Sequence, residues 1–342
     1  MTDQPVARVD LTLLVCTFNR SHDLREMLET ALAQQTDGAF TYDVLVVDNN
    51  STDDTRHVVD QFISRGHTNL RYLFEPQQGK SYALNAGLAA LSARIYTIVD
   101  DDFSLPPHWA KTIIETFRTN PDVSFVSGKV LPLWQDAPPA WLTRTHWSAI
   151  ALADYGDKPF YTDQVHQLCL LACSFRVADV KAVGGYHPEL GVSKNSIGGV
   201  EDLEILERLW NSGRKGLYLP SLWFSHKVPS SRMTKAYHRR WHTGHGRFYA
   251  VLRDPAIEKS SARLFDVPAH LYRQTAVAAY DWFRHTLRGH ESDAFASEAR
   301  IRFFFGFFEQ RRRDSGHHVL AELAGLVRAR VVNRRRRLAK RI

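Results

Sequence analysis

An α/β fold with a mostly parallel central sheet and a C-terminal helical extension is what this sequence predicts, on three observations. Short apolar runs alternate with helix-period stripes over the first 130 residues. Polar and acidic residues, Asn19, Asp48 and Asp100-Asp101-Asp102, stand at the ends of those runs. Beyond about residue 230 the pattern becomes helical and basic. Parallel strands wound with helices place their loops at the strand C-termini, so residues at those ends share a cleft.

The elements follow in order. The first strand is Leu11 to Thr17, and the next helix carries Leu24, Met27, Leu28, Ala31 and Leu32 on one stripe. Val44 to Asp48 forms the second strand, followed by the polar turn Asn49 to Asp54 and a helix. A strand at Leu70 to Phe74, a helix over Ser81 to Leu91 and a strand ending in the three carboxylates complete the βα rhythm, and a helix starts near Pro106-Pro107. Leu131 to Lys158, with Pro132, Pro138 and Pro139, reads as too irregular for regular elements and as a functional loop. The apolar run Leu168 to Phe175 restores regularity, and a glycine-rich segment leads to the acidic helix Glu201 to Trp210. A catalytic domain over residues 1–230 and a helical basic extension over 231–342 are expected.

The formal net charge of +7 belongs to one end of the chain, since residues 300–342 hold 13 Lys/Arg and 3 Asp/Glu against 31 and 34 in residues 1–299. Ile301 to Phe308 beside Arg311 to Arg313, and Leu320 to Val332 before Arg334 to Arg337, combine apolar faces with basic flanks. That pattern favours an anionic membrane surface as partner, and the near-neutral remainder argues against nucleic acid. Three cysteines with no CxxC pair indicate neither a disulfide framework nor a zinc ribbon. The N-terminus shows no apolar signal region, and no stretch reaches the ~20 apolar residues of a spanning helix. The expected location is cytoplasmic, peripheral to the inner face of the membrane.

Three adjacent carboxylates at a strand tip call for a cation. Side chains alternate faces along an extended chain, so Asp100 and Asp102 can converge on one ion, and their oxygens suit Mg²⁺ or Mn²⁺. Gly79-Lys80-Ser81 imitates the end of a phosphate-binding loop, but Phe74 stands where that loop needs its first glycine. Lys80 still offers one positive charge to a phosphate at a helix start. No Gly-x-Gly-x-x-Gly follows the first strand, which excludes the dinucleotide-binding fingerprint. His238, His242 and His245 sit among Arg239, Arg240 and Arg247, whose charges oppose a bound dication.

The succession Val15-Cys-Thr-Phe-Asn-Arg20, Val46-Val-Asp-Asn-Asn-Ser-Thr-Asp53, Gln78-Gly-Lys-Ser-Tyr-Ala-Leu-Asn-Ala-Gly87, Val99-Asp-Asp-Asp102 and Gly199-Val-Glu-Asp-Leu-Glu204 resembles the family 2 glycosyltransferases of GT-A fold. The resemblance runs over roughly residues 10 to 245, including Pro138-Pro-Ala-Trp141 and Ser225-His-Lys-Val-Pro229. It implies inverting transfer of a sugar from a nucleotide diphosphate donor, most often UDP-linked, to a hydroxyl of a saccharide or lipid-linked acceptor, in assembly of a surface polysaccharide or glycolipid. A divalent ion offsets the charge of the leaving diphosphate, so one carboxylate base is enough. The resemblance gives that role to Asp202 and leaves Glu201 to orient acceptor or donor hydroxyls.

It makes Asp102 the principal metal ligand, with Asp100 near the ribose or sharing the ion. Aligning on Pro106 instead gives the metal to Asp101, and both registers stay open. His226 resembles a third ligand, because a neutral imidazole nitrogen suits Mn²⁺. Thr17, Asn19 and Asp48 match positions that contact the base and ribose. Arg232, Arg240 and Trp241 recur in a phosphate- and sugar-binding signature, with Trp141 as a further acceptor contact. Tyr237 replaces the glutamine of that signature in processive synthases, so single-sugar transfer is expected. The competing expectation is a non-catalytic nucleotide-sugar-binding or scaffolding protein of the same fold.

Overall fold

The computed structural model describes residues 9–338, and side chains through residue 316. The chain divides into two compact units, Met1–His238 and Arg239–Ile342.

The first unit opens with β1 (Leu11–Thr17), α1 (Ser21–Ala31), β2 (Tyr42–Asp48), α2 (Thr55–Ser64), β3 (Leu70–Phe74), α3 (Lys80–Ala89) and β4 (Ile95–Asp100). β1 lies between β2 and β4 and is parallel to both, while β3 adds to β2 in the same sense. Helices cover both faces, which is why these strands read as continuous apolar runs without alternation. On α1 the stripe Leu24, Met27, Leu28 and Ala31 is buried, as its 3.6-residue spacing requires.

The remainder of the unit holds β5 (Phe103–Ser104), α4 (Trp109–Thr119), β6 (Val123–Trp134), β7 (Phe160–Thr162), β8 (Ser174–Arg176), α5 (Val177–Ala182), α6 (Glu201–Asn211) and β9 (Lys215–Val228). The sheet order is β3-β2-β1-β4-β8-β6-β9-β5, with β7 paired to β9. β8 runs antiparallel to both β4 and β6, joining the parallel set β3-β2-β1-β4 to a mixed half in which β6 and β9 are parallel and β5 and β7 antiparallel to β9. Leu14, Leu45, Leu84, Phe125, Phe175 and Trp210 belong to one buried cluster.

Two expectations are corrected here. The irregular loop expected from Leu131 is strand as far as Trp134, because β6 stays in register with β9 through Pro132 and Trp134; a short 3-10 helix follows at Arg144–Ile150. In the run Leu168 to Phe175 only the last two residues belong to β8. Leu170 and Cys173 owe their apolar character to the core they fill.

α7 (Lys235–Leu252) carries the chain into the second unit, which adds β10 (Arg263–Leu264), β11 (Val267–Pro268), α8 (Ala269–Leu287) and α9 (Glu291–Leu338). Its core gathers Ala250, Val267, Leu271, Phe304 and Phe307. Helices α7 and α9 meet at two glycines: a Cβ on Gly246 would lie 2.0 Å from the Phe303 carbonyl oxygen, and one on Gly306 1.9 Å from that of Thr243. Any side chain there would drive the helices apart.

The Ile301–Phe308 run is therefore outward-facing only in part, with Phe305 exposed. Phe304 and Phe307 are core residues, and Arg311 is fully buried in ion pairs with Glu258 and Asp266. Leu320 to Val332 and Arg334 to Arg337 lie outside the residues whose side chains are described. Among the described residues, no helix is long and apolar enough to cross a membrane.

Candidate functional site

The C-terminal ends of β1, β2 and β4 bring Thr17, Asp48 and Asp100 into adjacent registers, with Thr17 opposite Asp48 and Cys16 opposite Asp100. Strand pairing alone assembles this edge. β5 then folds back against β9, placing Phe103 opposite His226, and the Lys227 amide donates to the Asp102 carbonyl at 3.0 Å. A histidine more than 120 residues downstream thus reaches the carboxylate triplet through backbone pairing.

Asp102 is the hub of the cluster. His226 Nε2 lies 3.1 Å from its Oδ1, and Arg232 Nη2 and Arg20 Nη1 lie 3.2 and 2.8 Å from its Oδ2. Burial opposes charge on Asp102, but His226, Arg232 and Arg20 outweigh it and hold the carboxyl well below the usual carboxylate range. Asp101 goes the other way. Burial, joined by the charge of Asp102, raises it although Arg20 and the Thr17 hydroxyl draw it down. Arg20 Nη1 donates to Asp101 at 2.6 Å, and Thr17 Oγ1 donates to its other oxygen at 2.8 Å.

A second cluster centres on Lys80 at the start of α3. Its Nζ lies 3.4 Å from Asp100 Oδ1 and 3.5 Å from Glu201 Oε1, joining the β4 tip to the first turn of α6. Burial disfavours the ammonium, yet Asp100, Asp202 and Glu201 together raise its pKa well above the ordinary lysine value. Burial raises Asp202 as well, with Asp100 adding to the effect and Lys80 opposing it. Gly199 lets α6 come this close, since a Cβ there would lie 2.4 Å from Glu201 Oε2. The Lys80 amide donates to the Val192 carbonyl at 2.8 Å, tying α3 to the glycine-rich segment.

The nucleotide-side residues are braced from the loops. Asp48 accepts from the Ser51 amide and the Tyr72 hydroxyl, both at 2.8 Å, leaving further lone pairs on each oxygen. Asn19 has a φ of 52° and accepts from the Thr52 amide at 2.7 Å, so its carbonyl oxygen organises the loop. A cleft of about 390 Å³ opens beside Asp102, lined in part by Arg20, Trp134, Gln135 and Lys227. Asp48 and Asp202 do not line it; the hydrogen-bonded edge and Lys80 connect them to the cluster instead.

The structure therefore brings together Thr17, Lys80, Asp100, Asp101, Asp102, Glu201, Asp202, His226 and Arg232. Trp141 is placed otherwise. It is buried edge-on against His146 and His238, with Lys235 over its ring, so it packs the unit's interior and does not present an open face to an acceptor. Arg240 and Trp241 belong to the second unit, where Trp241 stacks on His245 at 4.4 Å.

Three residues with no role assigned from sequence stand out. Arg20 clamps two carboxylates, Tyr72 holds Asp48, and buried Asn49 accepts from the Gly79 amide at 2.7 Å while donating to the Gln77 carbonyl at 2.6 Å. Only Arg20 carried a signal, as a cation in the loop after a strand that neighbours an acidic tip.

Asp102 Oδ1 and His226 Nε2 form a two-donor set for a dication, while Arg20 and Arg232 hold the other oxygen of Asp102. Two octahedral ligands about 2.1 Å from one ion stand about 3 Å apart, the separation of Asp102 Oδ1 and His226 Nε2. A carboxylate with an imidazole suits Mn²⁺ better than an all-oxygen ion.

Residues 12–168 match the model of the family described as Glycosyl transferase family 2. The glucosyl-dolichyl phosphate glucuronosyltransferase of Haloferax volcanii is 24% identical over 225 residues, 64% of this chain and 69% of the relative. The succinoglycan biosynthesis protein ExoM of Rhizobium meliloti is 22% identical over 250 residues, 72% of this chain and 77% of the relative. Among solved structures, the mannosyltransferase PcManGT from Pyrobaculum calidifontis in complex with GDP-Man and Mn²⁺ shares the fold with a TM-score of 0.54. Its identity is 18%, over 87% of this chain and 88% of that one.

Proposed function

Since the chain belongs to the family 2 glycosyltransferases and has their GT-A fold, we propose that it inverts the anomeric centre of a nucleotide-diphosphate sugar while moving it to an acceptor hydroxyl. The acceptor is a saccharide or a lipid-linked sugar, in glycoconjugate or polysaccharide assembly. The convergence of Asp102 and His226 at 3.1 Å carries this reading, because it forms a carboxylate-and-imidazole pair at the strand ends that also carry Thr17, Asp48 and Asp100.

Asp102 and His226 would hold Mn²⁺ or Mg²⁺, which when bound supplies positive charge for the departing diphosphate. The chain's own residues do the remaining work. Asp48 accepts from a ring N–H of the base, and UDP is the nucleotide the family resemblance favours. Lys80 keeps one positive charge beside the donor phosphates and restrains Glu201 and Asp100. Asp202 takes the acceptor hydroxyl's proton, its raised pKa bringing it nearer the value a base needs at neutral pH. Arg232 and Arg20 position Asp102 from two sides. The H. volcanii relative's name, with its glucosyl-dolichyl phosphate, supports a lipid-linked acceptor, and the GDP-Man complex of the archaeal mannosyltransferase supports a nucleotide-sugar donor.

The experiment is a screen of UDP-, GDP- and dTDP-sugars for Mn²⁺- or Mg²⁺-dependent release of the nucleotide, with and without glycolipid acceptors. Turnover with one nucleotide class identifies the donor. Donor binding without release under any cation favours the scaffolding alternative.

A further inference from the structure

Helix α8 has two unlike faces. Leu271 and Ala278 are buried in the second unit. On the other side Val277 is 49% exposed, Tyr280 64%, Phe283 56% and Leu287 72%. Large apolar side chains at three- and four-residue spacing normally point into a core, and an exposed stripe of them marks a surface that meets something else. Arg273 lies four residues before Val277, Arg284 lies four after Tyr280 and three before Leu287 on the adjoining row of the helix, and Arg288 caps its C-terminal end.

We propose that this face of α8 docks on an anionic lipid surface. Charge identifies the occupant. On α8 and its C-terminal cap Arg273, Arg284 and Arg288 stand against Asp281 alone, which Arg284 holds at 3.3 Å, while residues 239–299 as a whole hold 9 Lys/Arg against 7 Asp/Glu. Tyr280, Phe283 and Leu287 supply the apolar bodies that enter the headgroup boundary, and the arginine stems reach phosphates from beside them. A second copy is disfavoured, because α8 against α8 about a two-fold axis sets these arginines against their own counterparts. The stripe is too short and too basic to span a bilayer, so the contact is interfacial. This surface is distinct from the Ile301–Phe308 run, whose phenylalanines at 304 and 307 are core. It goes beyond the transfer chemistry, and its test needs no turnover.

The test is flotation of the full chain with vesicles of phosphatidylcholine mixed with phosphatidylglycerol, and with vesicles of phosphatidylcholine alone. The parent floats with the mixed vesicles and is released by salt. Phe283→Asp with Leu287→Asp weakens binding by about tenfold or more, as lost apolar burial dictates. Arg273→Glu with Arg288→Glu weakens binding to the mixed vesicles, by on the order of fivefold per charge or more. These four side chains are exposed, and unchanged circular dichroism and melting confirm that the variants fold. The proposal is overturned if the parent stays unbound to the mixed vesicles. It is equally overturned if all variants float like the parent, which assigns lipid binding elsewhere in the chain, or if the substitutions change only the mass in solution, which assigns the stripe to self-association.

Discussion

Lys80 Nζ stands 3.5 Å from Glu201 Oε1, and this contact ties the helix after β3 to the helix that carries the proposed base. The two residues are 121 positions apart, and the ammonium also faces Asp100 at 3.4 Å. One buried cation thus offsets repulsion among three carboxylates at 100, 201 and 202. Lys80→Met leaves those charges uncompensated, which costs far more than losing a surface ion pair. A fall in turnover on the order of 10²-fold, with lowered thermal stability at neutral pH, is expected. Wild-type kinetics in that variant would remove Lys80 from the site.

Asp202→Asn tests the base. Donor affinity measured by calorimetry stays near that of the parent, while turnover drops on the order of 10²- to 10⁴-fold. Equal losses in donor affinity and turnover would make Asp202 a binding residue instead.

Chelation and substitution at Asp102 and His226 report on the cation. Removal of divalent ions abolishes transfer, and Mn²⁺ or Mg²⁺ restores it. Asp102→Asn and His226→Ala each raise the cation concentration for half-maximal rate by about tenfold or more. Should chelators leave the parent's rate untouched, Lys80 and the two arginines on Asp102 meet the diphosphate charge without an ion.

Glu201 gives a pH signature. Burial pushes it up to about 7, with Asp202 adding to the effect and Lys80 opposing it, from an ordinary 4.5. A group with a raised folded-state pKa contributes stability fully below its unfolded pKa, and the contribution is lost as pH rises through the folded value. Between about pH 4.5 and 7 the parent therefore loses stability through this residue. Glu201→Gln removes that slope, so melting temperatures across the window should converge on a flatter line and exceed the parent's at alkaline pH. Parallel curves for the two proteins would contradict the assignment.

Asn49 is a stability test away from the chemistry. Its side chain is 4% exposed and satisfies one amide and one carbonyl of the loop that delivers Lys80. Asn49→Ala strands the buried Gly79 amide, at a cost of about 1–3 kcal/mol. Chemical denaturation reads that loss directly, and a higher KM for the donor is expected alongside it, because Gly79 and Lys80 lose their anchor.

The parallel half of the sheet was legible because its information is local. β1 and β3 occupy the apolar runs read from sequence, and Asp48 and Asp100 close β2 and β4 because the chain turns polar where it leaves the core. The acidic helix expected over Glu201 to Trp210 is α6, which buries Ile205, Leu206 and Leu209. The exceptions came where context rules. Pro132 looks like a strand breaker, yet β6 passes through it beside β9. Trp141 has the composition of a sugar platform, and burial against His146 and His238 decides otherwise.

What the sequence determined by itself was the set of charged groups and the strand ends that carry them, since periodicity and the solvation cost of carboxylates act over a few residues. What only the tertiary structure decided was who neutralises whom. Arg20 on Asp101 and Asp102, Lys80 on Glu201, and His226 on Asp102 are contacts across 81 to 124 positions, and Lys80 reaches Asp100 across 20. The same holds for Phe304 and Phe307 of α9, buried while the stripe on α8 stays exposed. Electrostatic pairing and burial depend on distance in space, and that distance exists only once the sheet has brought its edges together.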